Sequence, residues 1–169
     1  FISTSLIIAT IIVYQQLNYM QNKKLGFDKE QVIFLGDARL LGENQLAYAQ
    51  QVRQDNRVVS ASVSRSMPGN DFIGGTEIFP KNESSNGETI HANIYRVDDQ
   101  YVPTLGITVI SGRNFSKEFS TDSSAVVINE SAARELGWKT NDAVGKTIIG
   151  SGQMEYKVIG VVGDFHYAS

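Results

Sequence analysis

The sequence predicts an α+β fold: a mixed-sheet domain of two lobes, preceded by a helix that stands apart from it. Three observations predict this. The first residues, "FISTSLIIATIIV" (1–13), are apolar and uncharged, and no Pro or Gly interrupts the chain before Gly26. After that, short apolar or alternating runs recur between Gly, Pro and polar clusters, as strands do. Helical patterns separate some of these runs but not others, so the order is neither a strict β-α alternation nor all-β.

The elements follow in order. Residues 1 to about 24 read as one continuous helix, about 36 Å long at 1.5 Å per residue. Its outer part, "YQQLNYMQNKK", places Tyr14, Leu17 and Met20 at i, i+3, i+6, with Tyr19 beside them. That is a narrow apolar stripe on a polar rod. Gly26 ends it. "QVIFLG" (31–36) reads as a buried strand, "ENQLAYAQQVRQD" (43–55) as a helix with Leu46, Ala49 and Val52 on one face, and "RVVSASVSRS" (57–66) as a strand with Val59, Ala61 and Val63 on one side. Together they make a β-α-β unit. "MPGND" (67–71) is a turn. "GTEIFP" (75–80) and "ETIHANIYRVD" (88–98) form a β pair around the polar loop 81–87. "DQYVPTLGI" (99–107) is a short helix started by Asp98-Asp99, broken near Pro103 and ended by Gly106. "ITVISGRNF" (107–115) is a strand into a turn. "AVVINESAARELGW" (125–138) is a strand running into a helix. Asn129 is its N-cap, Glu130 complements the helix dipole in the first turn, and Gly137 takes the left-handed position at the end. "VGKTIIG" (144–150) and "MEYKVIGVVGDF" (154–165) pair around Ser151-Gly152.

This order divides the chain into 1–24, a helix leading in, and 25–169, the domain. Within the domain, one lobe covers about 25–115 and 154–169, and a smaller lobe about 116–153. The last strand returns to the first lobe.

Composition narrows the function classes. The 169 residues are 41% hydrophobic and 20% charged, which is globular. A net charge of −3 argues against a nucleic-acid partner, which a basic face would attract. The chain has no Cys, which closes zinc-finger, iron–sulfur, disulfide and cysteine-nucleophile chemistry. The uncharged run 1–13 is shorter than the ~20 residues of a full membrane span. It lacks the basic start and cleavage site of a signal peptide. A core helix of one domain is rarely apolar on every face. Because the chain starts at Phe1 rather than Met, the run reads as the outer end of a longer transmembrane helix. Tyr14 and Tyr19 then sit at the interface. Lys23 and Lys24 point the other way, since positive charge favours the cytoplasmic side. That rule weakens beyond the headgroups and for large translocated domains.

Candidate chemistry is sparse. Asp164 and His166 share a strand face, but His91, the second histidine, is far away in sequence and two groups are too few for a metal. His166 has no nucleophile to serve, because Gly-x-Ser-x-Gly is absent. "GITVISGRNF" lacks the spacing and the Lys-Ser/Thr ending of a phosphate loop, so Arg113 is expected to pair with a nearby carboxylate or cap a turn. Glu130 and Glu135 read as a solvated helix face. Asn82 and Asn114 head glycosylation sequons. The expected site therefore holds no catalytic, cofactor-binding or metal residues. It consists of the stalk residues Tyr14, Leu17, Tyr19 and Met20.

The stretches "QQLNYMQNKKLGFDKEQVI", "YVPTLGITVISGRNF", "AVVINESAARELGW", "VGKTI" and "YKVIGVVGDFH" resemble the periplasmic core domain of MacB-type ABC transporter permeases. More narrowly, "YMQNKKLGFDKEQVI" resembles the second extracytoplasmic domain of the double-domain, FtsX-like permeases of Bacteroidetes-type bacteria. The resemblance covers essentially the whole chain. It implies a periplasmic domain with a porter-like β-α-β lobe and a smaller inserted lobe, held between transmembrane helices in the bacterial inner membrane. It also implies no cofactor, a separate cytoplasmic ABC ATPase as partner, and a role in passing ATP-driven motion to the periplasm for efflux or for extrusion of lipoproteins, peptides or drugs. A periplasmic or outer-membrane partner protein and a permease dimer are compatible with it. The alternative is an extracytoplasmic ligand-sensing domain of a membrane receptor, which predicts a closed pocket within one lobe.

Overall fold

The computed structural model describes residues 2–22, 26, 32–65, 75–81 and 89–165. Helix α1 covers Ile2–Asn22. A 3-10 helix over Gly36–Asn44 bends at Gly42 and runs into α2, Gln45–Val52. Then come β1 (Gly75–Pro80), β2 (Ile90–Asn93), α3 (Tyr101–Thr104), β3 (Val109–Gly112), a second 3-10 turn (Ser120–Ser124), β4 (Ala125–Asn129), α4 (Glu130–Glu135), α5 (Thr140–Ala143), β5 (Thr147–Ile149) and β6 (Glu155–Val162).

The strands form one mixed sheet in the order β2-β1-β5-β6-β3, with β4 also on β6. β6 is the hub. It pairs antiparallel with β5 and β3 and parallel with β4. Its sequence, "EYKVIGVV", explains the role: a β-branched, nearly uncharged second half suits a strand covered on both faces. Val158 and Val161 are fully buried.

Side-chain alternation sends neighbours to opposite faces, and an irregularity in β6, where Val126 and Val127 pair with Val158 and Gly160, resets it so that Val158 and Val161 share a face. On one face, Ile128, Val158 and Val161 pack with Ala133 and Leu136 at α4, Trp138, Ala143 of α5, and Ile78, Ile90 and Ile148 from β1, β2 and β5. On the other, Val162 joins Tyr101, Val102 and Leu105 of α3 and Ile107, with Val32, Val97, Val127 and Phe165 packed against them. The sheet is thus covered by α4 and α5 on one side and by α3 on the other.

Several local expectations hold. Asn129 caps α4, its side chain accepting from the Ala132 amide at 3.1 Å. Gly106 and Gly137 take positive φ at helix ends. The hairpin around Ser151-Gly152 forms with Ile148 opposite Tyr156. The helix expected over 99–107 is the shorter α3, and Gln100 is its N-cap.

Two expected strands are absent among the described residues. Residues 32–36, the described part of the 31–36 strand, have no ladder partner among the described residues, and Ile33, Phe34 and Leu35 are exposed. An apolar run becomes a strand only where another backbone offers it hydrogen bonds, and here the chain turns instead into the 3-10 helix. Residues 57–65 run as an irregular segment with a single bridge, Ser64 to Val97, held by Arg65 N to Arg96 O and Asp98 N to Val63 O at 3.0 Å each. Val59, expected on one side of a strand with Ala61 and Val63, is fully exposed. The β-α-β unit expected over 31–66 is therefore a helical segment followed by one bridge. The turn at 67–71 and most of the loop at 81–87 lie outside the described residues.

Candidate functional site

Every residue of α1 from Ile2 to Asn18 is exposed. Leu6, Ile7, Ile8, Ile11, Ile12 and Val13 are each about half exposed or more. At 100° per residue they encircle the helix. The Thr10 hydroxyl donates to the Leu6 carbonyl at 2.8 Å, which removes a polar group from an otherwise apolar cylinder. From Tyr14 onward the character changes to "YQQLN". Tyr14 and Leu17, one turn apart, share a face and are both exposed. Tyr19 and Met20 continue the same helix, with side chains outside the described residues. No described helix is long and apolar enough to cross a membrane.

The chain meets the domain at Gly26, which has φ +79°. A Cβ there would stand 2.2 Å from the Asp164 carbonyl oxygen. The backbone at Gly26 therefore lies directly on the segment that follows β6. Asp164 is itself anchored. Its carboxylate accepts from the Ser131 amide at 2.8 Å and the Ser131 hydroxyl at 2.7 Å, at the start of α4. Arg134 stands 3.7 Å from it and donates to the Ser131 hydroxyl oxygen at 2.8 Å. Phe165 packs on the α3 core and meets Tyr95 edge-on, with ring centroids 6.1 Å apart. Sequence reasoning identified Gly26 as a helix stop and missed this seat. A lone glycine signals positive φ but says nothing of what approaches it from far along the chain.

The candidate chemical groups go elsewhere. Both Asp164 oxygens are engaged with α4, and His166 lies outside the described residues. His91 is exposed on β2, facing Glu77 at 3.7 Å. Among the described residues no group of three or more His, Asp or Glu is placed to hold a metal ion.

Arg113 pairs with a carboxylate, as expected. Its two guanidinium nitrogens donate to the two Asp122 oxygens at 2.7 Å each, and the Ser116 amide adds a bond at 2.9 Å. The guanidinium also lies over the Phe119 ring at 4.1 Å. These hydrogen bonds hold the Asp122 carboxyl below its ordinary pKa and raise Arg113. The group fastens the 113–122 loop. A surface cleft of about 480 Å³ beside it is open to solvent and lined by Gly112, Arg113, Thr121, Val144, Gly145 and Lys157 among others.

Asp98 lies just before α3, its carboxylate accepting from the Gln100 amide at 3.2 Å and the Ser62 hydroxyl at 2.7 Å. Burial pushes the Tyr101 phenol up. Asn114 of the sequon is partly buried and donates to the Asp99 carbonyl at 2.7 Å.

The exposed helix α1 precedes Gly26 in the chain, and Gly26 lies against the backbone of Asp164 and Phe165. Comparison with known proteins bears on where such an arrangement occurs. Residues 1–169 match the model of the family described as MacB-like periplasmic core domain. Among solved structures, the chain is similar to the periplasmic region of MacB from Actinobacillus actinomycetemcomitans, with a TM-score of 0.51 and 23% identity over 73% of this chain and 52% of that one. It is also similar to a domain described as that of a permease protein from Porphyromonas gingivalis, with a TM-score of 0.48 and 16% identity over 69% of this chain and 49% of that one. The chain thus spans about half the length of each. No curated protein sequence matches it.

Proposed function

The chain belongs to the MacB-like periplasmic core domain family, and from that premise we propose that it is the extracytoplasmic part of an ABC transporter permease in a bacterial inner membrane. In this reading a separate cytoplasmic ATPase drives the transmembrane helices, and the periplasmic domain follows their motion. The chain performs no catalysis and binds no cofactor. Residues 1–24 are the end of a transmembrane helix and a stalk. Residues 25–169 are the domain, as a porter-like lobe (about 25–115 and 154–169) with a smaller lobe (about 116–153) inserted. Export or extrusion of lipoproteins, peptides or drugs is the class of work this motion serves. A second permease copy and a periplasmic or outer-membrane protein are the partners to look for.

The observation that carries the reading is α1. Over residues 2–13 the helix is uncharged, carries apolar side chains around its circumference and is exposed, which calls for a non-aqueous surrounding. Its change at Tyr14 to "YQQLN" suits an amphipathic aromatic at a membrane surface, with the rest of the helix in water. The helix hydrogen bonds are internal and no Gly or Pro precedes Gly26, so a tilt passes along it without a hinge. Tyr14, Leu17, Tyr19 and Met20 form the lever in this account.

The test uses the full permease with its ATPase. A single Cys at exposed Glu118 (Glu118→Cys) reports through its rate of thiol labelling. The rate is expected to change with bound nucleotide. Replacing Leu17 or Met20 with Gly-Gly is expected to abolish that change while leaving ATP hydrolysis and the domain's fold intact. A response that survives the replacement contradicts the lever. A Glu118→Cys reporter indifferent to nucleotide but responsive to a small molecule favours the sensing alternative.

A further inference from the structure

The incoming and outgoing ends of the domain are joined by main chain. At Gly26 a Cβ would lie 2.2 Å from the Asp164 carbonyl oxygen and 2.7 Å from the Phe165 Cα. Both are backbone atoms, so no side-chain rotation relieves the conflict. The φ of +79° independently disfavours an L-residue with a side chain. Glycine is thus favoured twice at one position, by conformation and by close approach.

The segment it touches is fastened in several directions. The Gly163 amide donates to the Thr108 carbonyl at 2.9 Å, tying it to the β3 side of the sheet. The Asp164 carboxylate holds the Ser131 amide and hydroxyl of α4. A carboxylate there also complements the exposed N–H groups of the first turn. Phe165 enters the α3 core, and so does Val32 from the start of the domain.

We propose that Gly26 and Asp164-Phe165 form a clasp that fixes the incoming helical arm to the outgoing strand and, through the Asp164 carboxylate, to α4. A displacement arriving along the stalk then moves the last strand and α4 together, because the arms cannot part without breaking the backbone packing and the Ser131 bonds. The mechanical use of the clasp rests on the permease reading; its existence as a rigid joint does not.

The chain in lipid nanodiscs tests the joint. It has no native Cys, so spin labels at Gln15→Cys on the stalk and Glu135→Cys on α4 give a clean distance distribution by pulsed electron spin resonance. A second pair, Lys139→Cys and Glu155→Cys, lies wholly within the domain. Gly26→Ala is expected to broaden the stalk-to-α4 distribution and leave the internal pair unchanged. An unchanged stalk-to-α4 distribution overturns the clasp. If Gly26→Ala broadens both pairs, Asp164→Ala decides, because it removes the tether without a steric conflict. Broadening of the stalk pair alone supports the clasp, and no broadening overturns it. In the full permease, a Gly26→Ala variant with a loosened joint but an intact nucleotide response at Glu118→Cys would overturn the permease lever and leave the clasp standing.

Discussion

Val158→Ala against Val59→Ala separates the observed packing from the one expected of a regular strand at 57–66. Val158 sits on the hub strand with no exposed surface, in contact with the cluster that includes Trp138. The substitution deletes two methyl groups, each worth about 0.8 kcal/mol on burial. The cavity left between sheet and α4/α5 adds to that, for a total of about 2–3 kcal/mol. For a chain of this size this corresponds to a fall in Tm of roughly 4–12 °C. Val59 is fully exposed, so Val59→Ala should stay within about 0.5 kcal/mol of zero. Trp138 is the single tryptophan and is buried in the same cluster as Val158, so its fluorescence during urea unfolding of the chain in detergent micelles reads both variants. Equal losses at Val59 and Val158 would refute the reasoning, because Val59 would then have to lie in a core.

Three further outcomes follow from the loops and caps. The Asp122 carboxyl has its pKa lowered by Arg113. Its contribution to stability is therefore full above the ordinary carboxylate pKa of about 3.9 and lost as pH falls through the lower folded value. Asp122→Asn should flatten that acid-side loss in thermal melts from pH 6 down to about 2, and an identical pH profile would contradict it. Asn129→Ala should cost about 1 kcal/mol through the lost bond to the Ala132 amide, measurable by urea unfolding. Gly160→Ala places a Cβ 2.2 Å from the Arg113 carbonyl oxygen. It should cost about 1–3 kcal/mol and accelerate hydrogen exchange at the Arg113 amide, which is bonded to the Ile159 carbonyl.

Elements whose partners are close in sequence were legible. The β5–β6 hairpin, the β4 strand running into α4, and the Asn129 cap are each set by a few adjacent residues. β6 was legible as a strand, but its place as hub was not, because that depends on β3, β4 and β5 all choosing it. The failures at 31–36 and 57–66 have one cause. Runs such as "QVIFLG" and "RVVSASVS" carry strand propensity, but a strand is a pairing, and these runs find at most one bridge partner among the described residues. The helix over residues 2–22 was legible because helical continuity is a local property. The close approach of Gly26 to Asp164 was not, because the two are brought together only by the finished fold.

The measurement that tests the central claim most directly is the sidedness of the domain. With Glu118→Cys as the single thiol of the full-length protein, a membrane-impermeant reagent is applied to cells whose outer membrane alone has been permeabilised. The account predicts labelling at once, with no further gain when the inner membrane is broken. Labelling only after the inner membrane is broken would place the domain in the cytoplasm. Lys23 and Lys24 would then mark the cytoplasmic side, and the permease account would be contradicted.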